Sequence, residues 1–426
     1  MTFNLESSDS ATIMTILSNP QDSRPPMPAH RQILPILSRA INGPPPYEID
    51  TADEETGAAD TVMYQQPVIY VREKRKTALI NVRVFDGYRL LDPGTVVIDG
   101  DRIGFDSTGA YVVDGHGGVL LPGLIDAHAH ISAVEQLTEM RNYGVTTVMD
   151  MECFPPSLLA QLREKAGQNG LTDLLSAGVA ATYHRAGFPP LGNVETAADA
   201  PQWVADRVSE GSDYIKVIAE NLPSDPKIDP AVINAVVASA HQLGKLTVAH
   251  ATSMPGWKVA HDAQVNMITH VPLSGRIEGE MVSNIASGQR CVIPTLTMME
   301  ALAKKMGALS ADYNNARHSV RNLHEAHIPI LAGTDANTTP NAPAAPAHGE
   351  TLHHELELLV NAGLSTVDAL RAATILPAQK FGLWDRGLIC PGKRADLLLV
   401  SGDPIKDIRA TRSIQQVWVA GVNWVP

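Results

Sequence analysis

The 426-residue sequence predicts an α/β fold, a (β/α)8 TIM barrel with a small β-sandwich domain built from both ends of the chain. Apolar, strand-like runs alternate with segments of helical periodicity through the middle of the sequence. Turn-separated strands lie on either side of this region, and residues that can bind a metal ion recur where the predicted barrel strands end. A doubly wound open sheet is the alternative, but no Gly-x-Gly-x-x-Gly follows an early strand.

Residues 1–65 differ in composition from the rest of the chain. They contain "SRPPMPAH" and "NGPPPYEID" before an acidic run, which predicts an extended or partly disordered leader. The first residues lack a basic segment followed by a long apolar one, so no signal peptide is expected. No apolar run approaches the length of a transmembrane helix. The three cysteines are widely scattered, which fits a reducing compartment, and a cytoplasmic location is expected.

Residues 66–118 and 384–426 predict the small β domain. The runs "ALINVRVFDG" and "GTVVIDGDRIGFD" alternate apolar and polar residues, and "LDPG" and "DGD" have the composition of turns. Similar strands return near the C-terminus in "ADLLLVSGDP" and "IQQVWVAGVNWVP". A strand-rich segment at each end, with a different pattern between them, indicates one sheet domain formed by both.

Residues 119–383 predict the barrel. Its eight strand-like runs are "GVLLPGLIDAH", "GVTTVMDME", "LLSAGVAATYH", "DYIKVIAEN", "KLTVAHATS", "NMITHVP", "CVIPTLTM" and "IPILAGTDAN". A segment with helical periodicity follows each run, as "PSLLAQLREKAGQ" follows the second. Strands that alternate with helices predict parallel βαβ units, and this number of units fits the barrel.

Potential metal ligands lie where these strands end, which is where barrels of this kind carry their active sites. The first run ends in "DAHAH", and two histidines separated by one residue on a strand point the same way. His-x-His alone is weak evidence, because a chain with 15 histidines contains it readily by chance. The convergence of several residues is stronger. The complete set is His128, His130, Lys216, His250, His270 and Asp335.

Lys216 is the unusual member of this set. A buried ammonium that faces histidines is costly and would repel cations. Carboxylation by carbon dioxide would turn its amine into an anion that can bridge two metal ions. The placement of Lys216 therefore suggests this modification.

The combined pattern resembles the amidohydrolase superfamily, in particular its imidazolonepropionase-like and prolidase-like branch with a binuclear metal centre. The resemblance covers the chain from Ala78 to the C-terminus and includes the tail "DRGLICPGKRADLLLVSGDP". It implies that His128, His130 and Asp335 hold the more buried of two divalent ions, with Zn²⁺ expected. It implies that His250 and His270 hold the other ion, and that carboxylated Lys216 and a hydroxide bridge the two.

The function implied is hydrolysis of a carbon–nitrogen bond in a small amide, such as a dipeptide, an N-acyl amino acid or a cyclic amide. Asp335 would be the catalytic residue that carries the proton from the hydroxide to the leaving group. A lactonase or a nonhydrolytic decarboxylase on the same scaffold is an alternative. A non-catalytic assembly protein is a third reading, which the complete ligand set argues against.

The loops after the barrel strands are expected to contact a small-molecule substrate. The candidates are Tyr183, His184 and Arg185 after the third strand and His348 after the eighth, although loop structure explains each about as well. The net charge of −13 and a pI of about 5.6 give no basic face for nucleic acid, and no membrane partner is expected. Related enzymes often self-associate, so a homo-oligomer is expected by analogy.

Overall fold

The computed structural model describes residues 75–182, 190–220, 229–288, 290–305, 310–339, 342 and 344–425. The predicted leader lies outside these residues, as do Tyr183, His184 and Arg185.

The described chain alternates strands and helices. The strands are β1 Thr77–Val84, β2 Gly94–Asp99, β3 Arg102–Gly104, β4 Tyr111–Asp114, β5 Val119–Pro122, β6 Leu124–Ala129, β7 Val145–Asp150, β8 Asp173–Ser176, β9 Ile215–Ile218, β10 Thr247–His250, β11 Met267–Thr269, β12 Cys291–Ile293, β13 Leu397–Val400, β14 Ile414–Val419 and β15 Val422–Trp424. The helices are α1 Val134–Asn142, α2 Pro156–Lys165, α3 Ala200–Ser209, α4 Pro230–Gln242, α5 Met254–Asp262, α6 Glu280–Ser287, α7 Leu296–Lys305, α8 Ser310–Glu325, α9 Glu350–Ala362, α10 Thr366–Ala372 and α11 Ile375–Lys380.

Strands from both ends of the described chain form one eight-stranded sheet. Its order is β15-β14-β13-β5-β1-β2-β3, and β4 pairs with β1. The antiparallel pairing of β13 with β5 joins the C-terminal strands to the N-terminal ones. Strands within residues 77–122 and 397–424 therefore share one sheet; the β-sandwich arrangement stays a prediction.

The middle of the chain forms two parallel sheets, ordered β6-β7-β8 and β12-β11-β10-β9. Every residue of β6, β7, β9, β11 and β12 is buried, as expected when helices cover a parallel sheet. Isolated parallel bridges join Ala181 to Val217, Val292 to Ile330 and Ala129 to Ala336. The α/β prediction is confirmed, and closure of these strands into a barrel stays a prediction.

The first predicted barrel run is divided into two strands at Gly123. β5 belongs to the small sheet, whereas β6 begins at Leu124 and pairs with β7. A Cβ at Gly123 would overlap the side chain of Thr146, so only glycine allows this close approach. Pro122, at the end of β5, has no backbone N–H to continue a ladder.

The seventh and eighth runs are shorter as strands than the sequence suggests. β12 ends at Ile293, and α7 already begins at Leu296, so the residues "LTM" of the seventh run are helical. The buried carboxylate of Glu355 accepts the N–H groups of Leu296 and Thr297, which satisfies the first turn of α7. The eighth run forms isolated bridges at Ile330 and Ala336 in place of a continuous strand. No described helix is long and apolar enough to cross a lipid bilayer.

Candidate metal centre

Four segments bring their carboxyl ends together to form the site. His128 lies near the end of β6, His250 is the last residue of β10, and His270 follows β11 directly. Asp335 precedes Ala336, which bridges to Ala129 of β6. Residues far apart in the sequence thus meet because parallel strands end at one edge.

The carboxylate of Asp335 lies among three imidazoles. Its Oδ1 is 3.2 Å from Nε2 of His128 and 3.1 Å from Nε2 of His130, and its Oδ2 is 3.9 Å from Nδ1 of His270. Candidate ligand atoms of His128, His270 and Asp335 all lie within 4.8 Å of one another. This spacing suits side chains that share a cation.

The rings of His250 and His270 are also in contact. Nδ1 of His250 and Nε2 of His270 lie 2.9 Å apart, and the ring centroids of His128 and His270 are separated by 5.0 Å. The hydroxyl of Thr269 hydrogen bonds to Nδ1 of His128, and that of Thr295 to Nδ1 of His270. These hydroxyls fix the ring orientations, so Nε2 of His128 faces Asp335.

The electrostatics favour neutral imidazoles at His128 and His270 beside the ionised carboxylate of Asp335, whereas Asp335 raises the pKa of His130. Burial, together with Lys216, lowers the pKa of His128 to about 3, and burial with the neighbouring His250 places the pKa of His270 well below its usual value. Burial acts to raise the pKa of Asp335, but His128 and His130 outweigh it and bring that pKa well below its usual value. Neutral imidazole and carboxylate are the forms that bind metal ions.

Lys216 lies inside β9, and only 3% of its surface is exposed. It pairs in register with Val248 of β10, the strand that ends in His250. Burial lowers the pKa of Lys216 to about 8. Within the described part of the chain, its Nζ makes no hydrogen bond and no ion pair, although its charge influences His128, His130 and His270. Lys216 thus lies at the same site as the histidines.

Two buried carboxylates that the sequence analysis did not select support these residues. Asp126 accepts hydrogen bonds from the N–H of His128 and from the N–H and hydroxyl of Thr334. Asp150, the last residue of β7, accepts hydrogen bonds from the N–H of Ile131 and the hydroxyl of Ser176. Asp126 belongs to the "DAHAH" motif and Asp150 lies near the end of a predicted strand, so strand-end position could have identified both.

Glu220 is a further residue that the sequence analysis missed. Its carboxylate accepts hydrogen bonds from the backbone and hydroxyl groups of Thr252 and Ser253, just after β10. Oε1 of Glu220 lies 3.9 Å from Nε2 of His250. Glu220 therefore fixes the loop that follows this histidine. Its position two residues after β9 was the available signal.

The backbone is strained at His270 and at Asp335. His270 has φ of 43° and Asp335 has φ of 58°, both in the left-handed region that residues with a Cβ rarely adopt. Such conformations cost on the order of 1 kcal/mol and persist where surrounding contacts enforce them. Here they turn both side chains toward the cluster.

His348 lies beside the cluster but makes a backbone contact. It is buried, and its Nε2 donates a hydrogen bond of 2.9 Å to the carbonyl oxygen of His130. Its Nδ1 lies 4.0 Å from the carboxylate of Glu139. His348 thus supports the strand end that carries His130, and a substrate contact for it stays a prediction.

The residues present fit a divalent cation. Nε2 of His128 is buried and makes no hydrogen bond with acceptable geometry, although it lies beside Asp335. A buried nitrogen without a partner costs about 1–3 kcal/mol, which coordination would offset. Mixed imidazole and carboxylate donors suit zinc and neighbouring transition metals. The arrangement can therefore hold a Lewis acid beside a carboxylate base.

Comparison with known protein families agrees with this geometry. Residues 119–423 match the model of the Amidohydrolase family. The chain belongs to this family. Membership confirms the superfamily predicted from the metal-binding pattern, and it suggests metal-dependent hydrolysis of carbon–nitrogen bonds.

The chain is similar in sequence or structure to proteins with different names. An uncharacterized protein of Mycobacterium bovis is 24% identical over 78% of this chain and 92% of its own. A candidate prolidase from Bifidobacterium longum has a solved structure with a TM-score of 0.70, 27% identity, and coverage of 82% of this chain and 94% of its own. An adenine deaminase of Sinorhizobium fredii is 26% identical over 74% of this chain, which spans about half (53%) of the deaminase.

Proposed function

We propose that this amidohydrolase uses two divalent metal ions to hydrolyse a carbon–nitrogen bond in a small amide: a dipeptide, an N-acyl amino acid or a cyclic amide. The observation that carries the proposal is the position of Asp335, within 3.2 Å of His128 and His130 and beside the unbonded Nε2 of His128. The similarity to a candidate prolidase places dipeptides first among the substrates to test.

In this proposal, His128, His130 and Asp335 hold the more buried ion, and His250 and His270 hold the second. Carboxylated Lys216 would supply a further anionic ligand to these ions, and Zn²⁺ would suit the donor set. When bound, such ions polarise the substrate carbonyl and lower the pKa of water. The strands around the site close into a (β/α)8 barrel, which is supported by the isolated bridges that link the two parallel sheets.

Asp335 is the proposed proton-transfer residue. Its carboxylate is ionised at neutral pH because His128 and His130 stabilise the charged form. It accepts the proton of the attacking water and delivers it to the leaving nitrogen. The bonds of Asp126 and Glu220 to the surrounding loops keep the side chains in place during this transfer.

The test combines elemental analysis with a substrate panel. We expect about two transition-metal equivalents per chain, because the donors divide into two groups. The panel contains dipeptides, N-acyl amino acids, cyclic ureides and lactones, and turnover of an amide is expected. Asp335→Asn should retain metal and lose about 10²-fold or more in kcat, whereas the surface variant Asp407→Asn should match wild type. Absence of metal, or near wild-type turnover by Asp335→Asn, would overturn the proposal.

A further inference from the structure

A polar cavity of about 640 Å³ lies at the amino-terminal ends of β11 and β12. Met267 and Cys291, the first residues of these strands, form part of its wall, together with residues at and near the ends of α5, α6 and α11. The length of β11 separates the cavity from His270 by roughly 10 Å, since a strand rises about 3.3 Å per residue. The cavity is therefore distinct from the candidate metal centre.

Arg290 is the central polar residue of this cavity. It lines the wall, yet only 7% of its surface is exposed. Its Nη1 donates to Nδ1 of His261, which is an uncharged acceptor because burial and the nearby guanidinium lower the pKa of His261. Among the described residues, the remaining guanidinium N–H groups have no hydrogen-bond or ion-pair partner. A nearly buried cation with free donors indicates a place for an anion.

The other charges around the cavity reinforce this character. Lys380, the last residue of α11, also lines the wall and forms no ion pair within the described part of the chain. Asp262 is the carboxylate on the wall; its charge also acts on Arg290, but its Oδ2 is bound at 2.6 Å by Nζ of Lys258 on the same helix. The cavity thus carries excess positive charge on a protein whose net charge is −13.

Gly288 makes room for the guanidinium. A Cβ added at Gly288 would lie 3.1 Å from Nε of Arg290 and 3.3 Å from its Cζ. The backbone φ of Gly288 is −84°, which residues with side chains adopt readily. Alanine at this position would therefore shift the guanidinium of Arg290 slightly without removing its charge.

We propose that this cavity binds a small phosphate-class oxyanion, such as a phosphate monoester. The planar guanidinium of Arg290 binds two of its oxygens, and Lys380 supplies the second positive charge. A guanidinium matches two phosphate oxygens at once, whereas an ammonium acts as a point charge. The side-chain amide groups of Asn266 and Asn284 on the same wall have N–H donors that can bind the remaining oxygens. The volume leaves space for an attached organic group of metabolite size.

The experiment titrates inorganic phosphate into the metal-loaded protein by calorimetry at constant ionic strength. Wild type should show a binding component that weakens about tenfold or more in Arg290→Gln and in Lys380→Gln. Gly288→Ala should weaken it with the charges unchanged, and Arg290→Lys should restore part of the loss seen with glutamine. The exposed variants Arg409→Gln and Lys406→Gln remove the same charges elsewhere and should bind as wild type does.

All of these variants keep the proposed metal ligands, so phosphate bound at the metal centre would contribute equally to every titration. Lys380 is only partly buried, so its variant tests the cavity even if Arg290→Gln folds poorly. The proposal is overturned if wild type binds no phosphate. It is also overturned if folded Lys380→Gln and Gly288→Ala both bind it with wild-type affinity.

Discussion

The hydroxyl of Thr334 donates a hydrogen bond of 2.7 Å to the buried carboxylate of Asp126. Thr334 immediately precedes Asp335, and Asp126 accepts the N–H of His128 at 3.1 Å. This contact therefore joins the chain segment that carries His128 to the segment that carries Asp335. Because both Asp126 and Thr334 are buried, loss of this hydrogen bond would leave a buried polar group without a partner, which is costly.

Replacing Thr334 with valine tests this connection. The substitution keeps the shape of the side chain but removes the donor, so the free energy of unfolding should fall by about 2 kcal/mol. Metal affinity should fall about tenfold, because outer hydrogen bonds orient the ligands. Urea unfolding and metal titration measure the two effects.

Thr196 provides the matched control for that experiment. Its hydroxyl makes the same 2.7 Å bond to a carboxylate, that of Asp199, but both residues are exposed. Thr196→Val should change the free energy of unfolding by about 0.5 kcal/mol or less, with metal affinity unaltered. Equal losses in the two variants would show that burial of the Asp126–Thr334 bond is unimportant.

Strand patterning was sufficient to predict which residues converge, but not how they are supported. The alternation of side chains along a strand predicted that His128 and His130 point the same way. The position of active sites at strand ends predicted that Asp335 lies near them. The roles of Asp126 and Glu220 depend on backbone N–H partners in other segments, which periodicity does not reveal. The division at Gly123 was missed because two adjoining apolar strands read as one run; the close approach of Thr146 becomes visible only in three dimensions.

Carboxylation of Lys216 has a direct spectroscopic test. We expect a carbamate signal in carbon NMR when the protein is loaded with metal in ¹³C-bicarbonate, because a buried ammonium beside the histidines would oppose cation binding. Lys216→Ala should lack the signal and lose the second metal equivalent. Lys304→Ala, a change at an exposed lysine paired with Glu300, should retain both. A wild-type protein with two metals and no carbamate signal would refute the modification.

His353 should make the stability of the protein sensitive to acid. Its buried ring bonds to the hydroxyl of Thr411 and the carbonyl of Tyr143, and burial with the nearby Arg412 lowers its pKa from 6.5 to about 4. Between pH 6.5 and about 4, His353 is therefore protonated in the unfolded chain but neutral in the folded chain. Stability from this group is complete above pH 6.5 and is lost as the pH falls toward 4, by an amount on the order of 3 kcal/mol.

The change that isolates this effect is His353→Gln. The variant should start less stable at pH 7.5 but lose less stability between pH 7 and pH 5 than wild type, as measured by urea unfolding at each pH. Other groups titrate equally in both proteins, so the difference between the two slopes belongs to His353. Identical slopes would mean that His353 retains an ordinary affinity for protons in the folded state.

Asp173 should contribute strongly to stability, because it neutralises two nearly buried guanidinium groups. It is the first residue of β8, and its Oδ2 lies 2.7 Å from Nη1 of Arg386 and also contacts Nη1 of Arg394, which precedes β13. Asp173→Asn leaves both cations without this carboxylate and should lower the free energy of unfolding by about 3 kcal/mol. The control is Asp407→Asn, which breaks an exposed pair with Arg409 and should leave the free energy of unfolding close to that of wild type. If the two variants unfold at the same urea concentration, this cluster does not hold the parallel strands to the small sheet.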